Sequence, residues 1–243
     1  MLNIKLKYII ICKLSVIIST LLLLSAHAES NEILLREDFK SLENWEPLYF
    51  KKIDKHTKYY IYNDGKQSYL KSESDASASG IVYKKTFNVY DYSKIRWSWK
   101  VSNIYENGDA RTKEGDDYPI RIYVMFKYDP DKASFGKRLK YGLAKKMYGQ
   151  YPPHSTLNYI WANKEHEENI LSNSYANQAK MIIVQSGIEN IEKWIDHEVN
   201  VLEDYRRAFG KDPPQSASIA IMNDSDNTGE RSVSFVEYIE IYK

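Results

Sequence analysis

A loop of carboxylates, amides and one glycine follows a long apolar run near the end of the chain. Asp224, Asp226 and Thr228 place an oxygen donor at every second position, and Gly229 follows directly. This spacing partly matches a calcium-binding loop, in which alternate side chains converge on the ion and a glycine allows the sharp turn. The match ends at Phe235, which stands where an EF-hand has its bidentate glutamate.

Two interpretations of this loop stay open. It is a calcium loop of another geometry, completed by acids from elsewhere in the chain, or it is an Asx-rich hairpin turn whose side chains bond to their own backbone. On the first interpretation the cofactor is calcium, and the candidate metal ligands are Asp224, Asp226 and Asp116.

Paired carboxylates can also perform glycoside hydrolysis, one as acid and the other as base or nucleophile. Asp117 and Asp224 both stand at the ends of predicted strands, where loops gather. Arg121 and Arg206 can bind a carboxylate or phosphate on a ligand, or form internal ion pairs with Asp117 or Asp204. The sequence has no zinc-protease helix motif, no glycine-rich phosphate loop and no G-x-S-x-G motif.

The 21 tyrosines and five tryptophans suit both a β core and a surface that stacks on sugar rings. Most of them are expected in the core. The candidate ligand-binding residues are Asp117, Arg121, Trp161, Asn173 and Arg206.

Short strands must position these residues. Residues 95–101 alternate, with apolar side chains on one face and Arg96, Ser98 and Lys100 on the other, which predicts a core strand. Asp64-Gly65 predicts a tight hairpin turn. Residues 33–39 and 236–242 are expected to pair as the first and last strands. The chain is therefore predicted to be mainly β, a two-layer antiparallel β-sandwich of jelly-roll type with two short helices.

The two helices are predicted in residues 130–150 and 198–209. Phe135, Leu139, Leu143 and Met147 recur every four residues in the first helix, and lysines cover much of its remaining surface. Such lysines usually form a solvated face, although a basic amphipathic helix can also lie on an anionic surface or bind a partner in the envelope. In the second helix, Val199, Leu202, Arg206 and Phe209 form the predicted inner stripe, and Gly210 is the predicted cap.

Residues 1–28 have the pattern of a secretory signal peptide. Three lysines precede an apolar run that ends in Ala26-His27-Ala28, which predicts cleavage before Glu29. The alternative is an uncleaved membrane anchor. Residues 29–243 are then a single β-sandwich domain in the periplasm or outside the cell, with no stable membrane span.

Residues 29–243 carry 31 basic and 33 acidic side chains, so their charge gives no reason to expect a nucleic-acid partner. The one cysteine, Cys12, lies in the signal segment, and the remaining chain therefore has no disulfide and no cysteine nucleophile.

Several stretches together resemble a bacterial family known only as domain of unknown function 3047. They cover roughly residues 33–243 in order: Trp97-Ser98-Trp99-Lys100-Val101, Gly115-Asp116-Asp117, Arg121 to Phe126, Tyr159-Ile160-Trp161, Asn173-Ser174-Tyr175, Ser186-Gly187 with Trp194, Asp204 to Gly210 and Asp224 to Gly229. The resemblance implies a secreted or periplasmic envelope protein and gives no reaction.

Two function classes that involve a polysaccharide follow from these observations, and a structural envelope protein that binds a partner through the basic helix, residues 132–147, is a third. The first is a non-catalytic β-sandwich that binds a glycan or another envelope component. The second is a polysaccharide-acting enzyme, a hydrolase or a lyase, that uses paired carboxylates. The two differ in whether a bound polysaccharide is released unchanged or as products.

Overall fold

The computed structural model describes residues 32–148 and 151–243. Ile33–Lys243 forms one compact unit. The predicted signal peptide lies outside the described residues. The strands are β1 (Ile33–Glu37), β2 (Trp45–Leu48), β3 (Lys58–Asn63), β4 (Ser68–Asp75), β5 (Ala78–Tyr83), β6 (Phe87–Asn88), β7 (Lys94–Val101), β8 (Arg121–Phe126), β9 (Ser155–Ala162), β10 (Ile170–Ser172), β11 (Ala179–Ser186), β12 (Ile195–Asn200), β13 (Ser216–Asp224) and β14 (Arg231–Tyr242).

These strands form two sheets. Sheet A has six strands in the order β12-β7-β14-β4-β3, and β1 also pairs with β14. Its β1–β14 register sets Leu35 opposite Ile241 and Glu37 opposite Ile239, which confirms the predicted pairing of the first and last strands. The predicted hairpin is β3–β4, and Gly65 at its turn has a φ of 89°.

Sheet B has eight strands in the order β10-β11-β9-β8-β13-β5-β2, and β6 also pairs with β13. Its pairs are antiparallel except for β9 and β11, which run parallel. The prediction of a mainly β, two-layer sandwich is thus confirmed, with one parallel pair inside an otherwise antiparallel architecture.

The core lies where the inner faces of the two sheets meet. The predicted apolar face of β7 is fully buried, with Ile95, Trp97, Trp99 and Val101 all at 0% exposure. Trp161 of β9 packs in the same core, 6.3 Å from Trp99 between ring centroids. The alternation read in the sequence therefore marks core strands.

Two helices complete the fold in the part of the chain that the structure describes, α1 (Phe135–Tyr148) and α2 (Val201–Phe209). The second begins three residues later than predicted, because residues 198–200 belong to β12, which pairs with β7. Asn200 caps the helix by accepting hydrogen bonds from the backbone N–H groups of Leu202 and Glu203, and Gly210 ends it with a φ of 65°.

The predicted inner stripe of α2 was wrong in part: Val199 and Phe209 pack against the core, but Arg206 does not. Val201, Asp204 and Tyr205 are the buried residues of this helix, whereas Arg206 is exposed. The later start of the helix accounts for the difference, since Val199 belongs to the preceding strand and Val201 takes the first buried position.

The acidic loop joins the two sheets. It leaves the end of β13 in sheet B and leads into β14 in sheet A, so the loop is not a hairpin turn. One side chain of the loop does bond to nearby backbone, since Thr228 Oγ1 accepts the N–H of Glu230 at 3.4 Å. No helix among the described residues is long and apolar enough to cross a bilayer.

Candidate ligand-binding site

Strand register brings the separate acidic segments together. β8 and β13 are antiparallel neighbours, and Arg121 lies opposite Met222. The beginning of β8 therefore adjoins the end of β13. Beyond the register, the Asp224 N–H donates to the Tyr118 carbonyl at 3.3 Å, and the Tyr118 N–H donates to Asp224 Oδ1 at 3.3 Å. Asp117 and Asp224 therefore meet where the central strands β8 and β13 end, which we call the acidic edge of sheet B.

The carboxylates of Asp117, Asp224 and Asp226 form a compact group, in which Asp117 stands where Asp116 was predicted as the third metal ligand. One oxygen from each of these residues lies within 4.8 Å of the others. Asp117 Oδ2 accepts a hydrogen bond from the backbone N–H of Thr228 at 2.6 Å, and its Oδ1 accepts one from Asn227 Nδ2 at 3.3 Å. Asp117 therefore holds the loop that carries Asp226.

Arg121 is the cation inside this group. It forms a buried ion pair with Asp224, and its Nη1 lies 3.9 Å from Asp116 Oδ1. The guanidinium carbon is 4.8 Å from the ring centroid of Tyr118 and 5.5 Å from that of Tyr123. Two aromatic rings and two carboxylates thus fix the position of Arg121.

Negative charge exceeds positive charge at this edge. Among the described residues, Asp116 and Asp224 form ion pairs with Arg121, whereas Asp117 and Asp226 form none. Burial raises the pKa of Asp224 well above its usual range, and Arg121 offsets part of that rise. Burial also raises the pKa values of Asp116 and Asp226, to which the charge of Asp117 adds. The group therefore favours a proton or a cation.

An amide and a tyrosine extend the site from Asp116. Asn173 Nδ2 donates to Asp116 Oδ2 at 2.9 Å, and the Tyr118 hydroxyl donates to Asp116 Oδ1 at 3.0 Å. Asn173 Oδ1 also accepts the backbone N–H of Tyr175 at 3.0 Å. Asn173 thus links the buried acid to an exposed aromatic residue.

Tyr175 is 58% exposed and lies over the acidic edge. Its hydroxyl donates to the Lys113 carbonyl at 3.0 Å and contacts Asn227 Oδ1 at 3.2 Å. Burial of the hydroxyl raises its pKa, and the charges of Asp116 and Asp226 raise it further. The Lys113 ammonium lies 5.5 Å from the centroid of this ring. The exposed part of the ring offers an apolar surface beside carboxylate and amide groups.

A tightly packed turn sets the position of the Asp116-Asp117 pair. A Cβ added at Gly115 would lie 2.4 Å from the backbone nitrogen of Asp109 and 2.9 Å from the Asn107 carbonyl oxygen. Backbone atoms cannot move aside as a flexible side chain can. Glycine is therefore required immediately before the two acids.

Two of the predicted ligand-binding residues lie elsewhere. Trp161 is fully buried in the core, and its indole N–H donates to the Gly187 carbonyl at 3.0 Å, so its ring offers no face to a ligand. Arg206 is exposed on α2 and pairs with Asp212 at 2.7 Å, and it joins neither Asp117 nor Asp204. Arg207 forms the ion pair with Asp204.

The structure brings together the other six candidates. They are Asp116, Asp117, Arg121, Asn173, Asp224 and Asp226. The sequence reasoning missed Tyr175 and Asn227 as members of the site. A signal for both was present, because each lies in a stretch that resembles the 3047 family.

The family of the chain follows from a direct match. Residues 43–240 match the family model described as "Protein of unknown function (DUF3047)", so the chain belongs to this family. The resemblance inferred from the sequence is confirmed. No curated protein sequence matches the chain.

Several solved structures are distantly similar. CtCBM11 shares 11% identity with a TM-score of 0.42, over 89% of this chain and 97% of its own. Trichoderma harzianum endoglucanase 3 from family GH12 shares 7% identity with a TM-score of 0.42, over 90% of this chain and 100% of its own. The enzymatically active domain of bacteriophage CBA120 tailspike protein 4 shares 8% identity with a TM-score of 0.40, over 85% of this chain but only 20% of its own. These likenesses assign no function to the chain.

Proposed function

We propose that this chain is a non-catalytic glycan-binding protein that works in the periplasm or outside the cell. The observation that carries the proposal is the exposed ring of Tyr175 beside Asp116, Asp226 and Asn227. A sugar has apolar C–H faces and a rim of hydroxyl groups, so it needs an aromatic surface and hydrogen-bonding groups in close proximity. The acidic edge of sheet B supplies both.

Calcium is part of this proposal. Calcium takes oxygen ligands at about 2.3–2.6 Å. Carboxylate oxygens of Asp117, Asp224 and Asp226 that lie within 4.8 Å of one another therefore fit around a common ion. The ion would offset the excess of negative charge and stiffen the loop that carries Asn227.

A second candidate is a polysaccharide hydrolase or lyase. The proximity of Asp117 and Asp224 favours it, because retaining glycosidases hold their two carboxylates about 5–5.5 Å apart. Two observations weigh against it. Asp224 is 2% exposed and paired with Arg121, and both oxygens of Asp117 already accept hydrogen bonds. Burial and the pair with Arg121 keep Asp224 away from a polysaccharide in solvent, whereas a small ion can share carboxylate oxygens that already accept hydrogen bonds.

The test is a screen of residues 29–243 on an array of bacterial and plant polysaccharides. Binding by the wild type that is lost in Tyr175→Ala supports the proposal. The matched control is Tyr90→Ala, which removes a ring of 44% exposure whose hydroxyl bonds to the Pro213 carbonyl, outside the site.

The same incubations separate the two candidates. Chromatography of each bound polysaccharide after incubation detects released products. Products that disappear in Asp117→Asn, while that variant stays folded, would establish the enzyme instead. An array with no bound glycan would remove both candidates.

A further inference from the structure

Helix α1 carries three residues of its predicted apolar stripe on the solvent side, and the side chain of the fourth, Met147, lies outside the described part of the chain. Phe135, Leu139 and Leu143 are 83%, 59% and 56% exposed. The sequence alone predicts the reverse, because the apolar stripe of a surface helix normally packs on the core. Three large apolar side chains in consecutive turns of one helix form an exposed patch, which marks an interaction surface.

The attachment of the helix explains its orientation. Tyr141 stacks on Tyr128 with ring centroids 3.8 Å apart and planes 10° apart. Its hydroxyl also lies 3.3 Å from the carbonyl oxygens of Pro153 and His154. With 3.6 residues per turn, Tyr141 is rotated by roughly 200° from both Leu139 and Leu143. The contact that attaches the helix therefore turns the apolar stripe away from the sandwich.

Positive charge surrounds the stripe. The helix contains five basic residues and no aspartate or glutamate, and all five basic side chains are exposed: Lys137, Arg138, Lys140, Lys145 and Lys146. By the same rotation, Lys140 flanks the stripe on one side and Arg138 and Lys145 flank it on the other. Lys146 follows the stripe at its C-terminal end. A narrow apolar stripe with positive charge on both sides has the pattern of a helix that lies in the surface of a bilayer.

We propose that α1 docks this protein onto the surface of an anionic phospholipid bilayer. Phe135, Leu139 and Leu143 would insert between the acyl chains near the headgroups, and the basic residues would contact lipid phosphates. Charge complementarity selects this occupant. A second copy of the helix would bring ten basic groups together, and a nucleic acid would leave the apolar stripe in water. The inference is independent of the glycan site, because α1 contacts Tyr128 just after the end of β8, whereas the site lies at the beginning of β8.

The test is co-sedimentation of residues 29–243 with sucrose-loaded vesicles, a form that contains the whole compact unit Ile33–Lys243. Vesicles of pure phosphatidylcholine are compared with vesicles that contain phosphatidylglycerol. We expect binding to the anionic vesicles that weakens as salt rises, because surface charge is screened.

Two sets of variants define the surface. Phe135→Ser/Leu139→Ser/Leu143→Ser removes the stripe, and Lys140→Gln/Lys145→Gln/Lys146→Gln removes charge beside it. Each is expected to weaken binding by at least about tenfold, since both the apolar and the electrostatic contacts contribute. The matched control is Leu34→Ser/Tyr49→Ser/Ile188→Ser, which removes three other apolar side chains of 46%, 60% and 68% exposure. It should bind as the wild type does.

Three results would overturn the proposal. The first is no binding to anionic vesicles, and the second is equal binding to neutral ones. The third is a wild type that is dimeric in sedimentation velocity and becomes monomeric in the Phe135→Ser/Leu139→Ser/Leu143→Ser variant, because a second copy would then cover the stripe. All substituted side chains are exposed, so loss of folding should not obscure the comparison.

Discussion

Arg121 holds a buried carboxylate that has no other ion-pair partner among the described residues. It forms that pair with Asp224, and both side chains are at most 6% exposed. A buried pair contributes little net stability against an apolar replacement of both partners, but removing one partner leaves an uncompensated charge. Loss of Arg121 should therefore lower the free energy of unfolding substantially, because the buried charge of Asp224 is left without a partner.

Arg121→Met is expected to lower the free energy of unfolding by about 3–5 kcal/mol, measured by urea denaturation. The control Arg206→Met breaks an exposed pair with Asp212 and should cost at most about 1 kcal/mol. Adding Asp224→Asn to Arg121→Met should recover part of the loss, because it removes the buried charge. Equal losses in Arg121→Met and Arg206→Met would contradict this account of the pair.

His197 gives the fold a pH dependence of definite sign. Its ring lies 5.5 Å from Trp97 and 5.2 Å from Trp99 between centroids, and its Nε2 is buried without a hydrogen-bond partner. Burial lowers the pKa of His197 to about 4. The unfolded chain binds this proton below about pH 6.5 and the folded chain does not, so stability falls as pH drops through that window.

Wild-type protein should therefore lose more stability between pH 7 and pH 5 than His197→Phe does. The phenylalanine keeps the ring packing and removes the titration. Urea unfolding at the two pH values measures the difference, with His56→Phe, an exposed position, as the control. Identical pH dependence in the wild type and His197→Phe would show that His197 does not titrate as inferred.

At the scale of elements, the turn before β8 is the part of the site that is packed most tightly against a substitution. Gly115→Ala should cost about 1–3 kcal/mol, since a Cβ there meets backbone atoms on two sides. Gly136→Ala in α1 meets nothing within 4 Å and should be neutral or raise stability by up to about 1 kcal/mol. Thermal unfolding of both variants tests this contrast. A neutral Gly115→Ala would mean that the turn is less closely packed than described.

Most strands were predictable because apolar residues at every second position mark the face of a strand that is buried. The buried face of β7 shows this pattern, with Ile95, Trp97, Trp99 and Val101. The orientation of α1 was not predictable, because a helical stripe shows amphipathicity without showing which side faces the core. The boundary of α2 was misplaced for a related reason. Residues 198–200 fit either a strand or a helix locally, and only pairing with β7 decides between them.

At the scale of the molecule, the pairing of β8 with β13 explains why part of the site could be predicted. Asp224 lies more than 100 positions after Asp116 and Asp117 in the sequence. The three acids still meet, because β8 and β13 are neighbours and the acids stand at the ends of these strands. Tyr175 reaches the same edge through a connection beyond β10, whose path depends on tertiary packing. Trp161 was misjudged because an aromatic residue in a strand gives no signal of which face it occupies when most neighbours are apolar.

The acidic loop connects the two sheets, so an ion bound there should stabilise the whole sandwich. We expect millimolar calcium to raise the melting temperature relative to EDTA. A concentration one hundred times the dissociation constant adds about 2.7 kcal/mol. The shift should be absent in Asp226→Asn and present in Asp212→Asn, which changes an exposed acid outside the site. If the melting temperature of the wild type does not rise at any calcium concentration, the acidic loop does not bind calcium.

The measurement that tests the central claim most directly is calorimetric titration of a glycan identified on the array. The wild type should bind it at least about tenfold more tightly than Tyr175→Ala, a difference of about 1.4 kcal/mol, and Tyr90→Ala should match the wild type. If Tyr175→Ala binds the glycan as tightly as the wild type, the acidic edge of sheet B is not the glycan site.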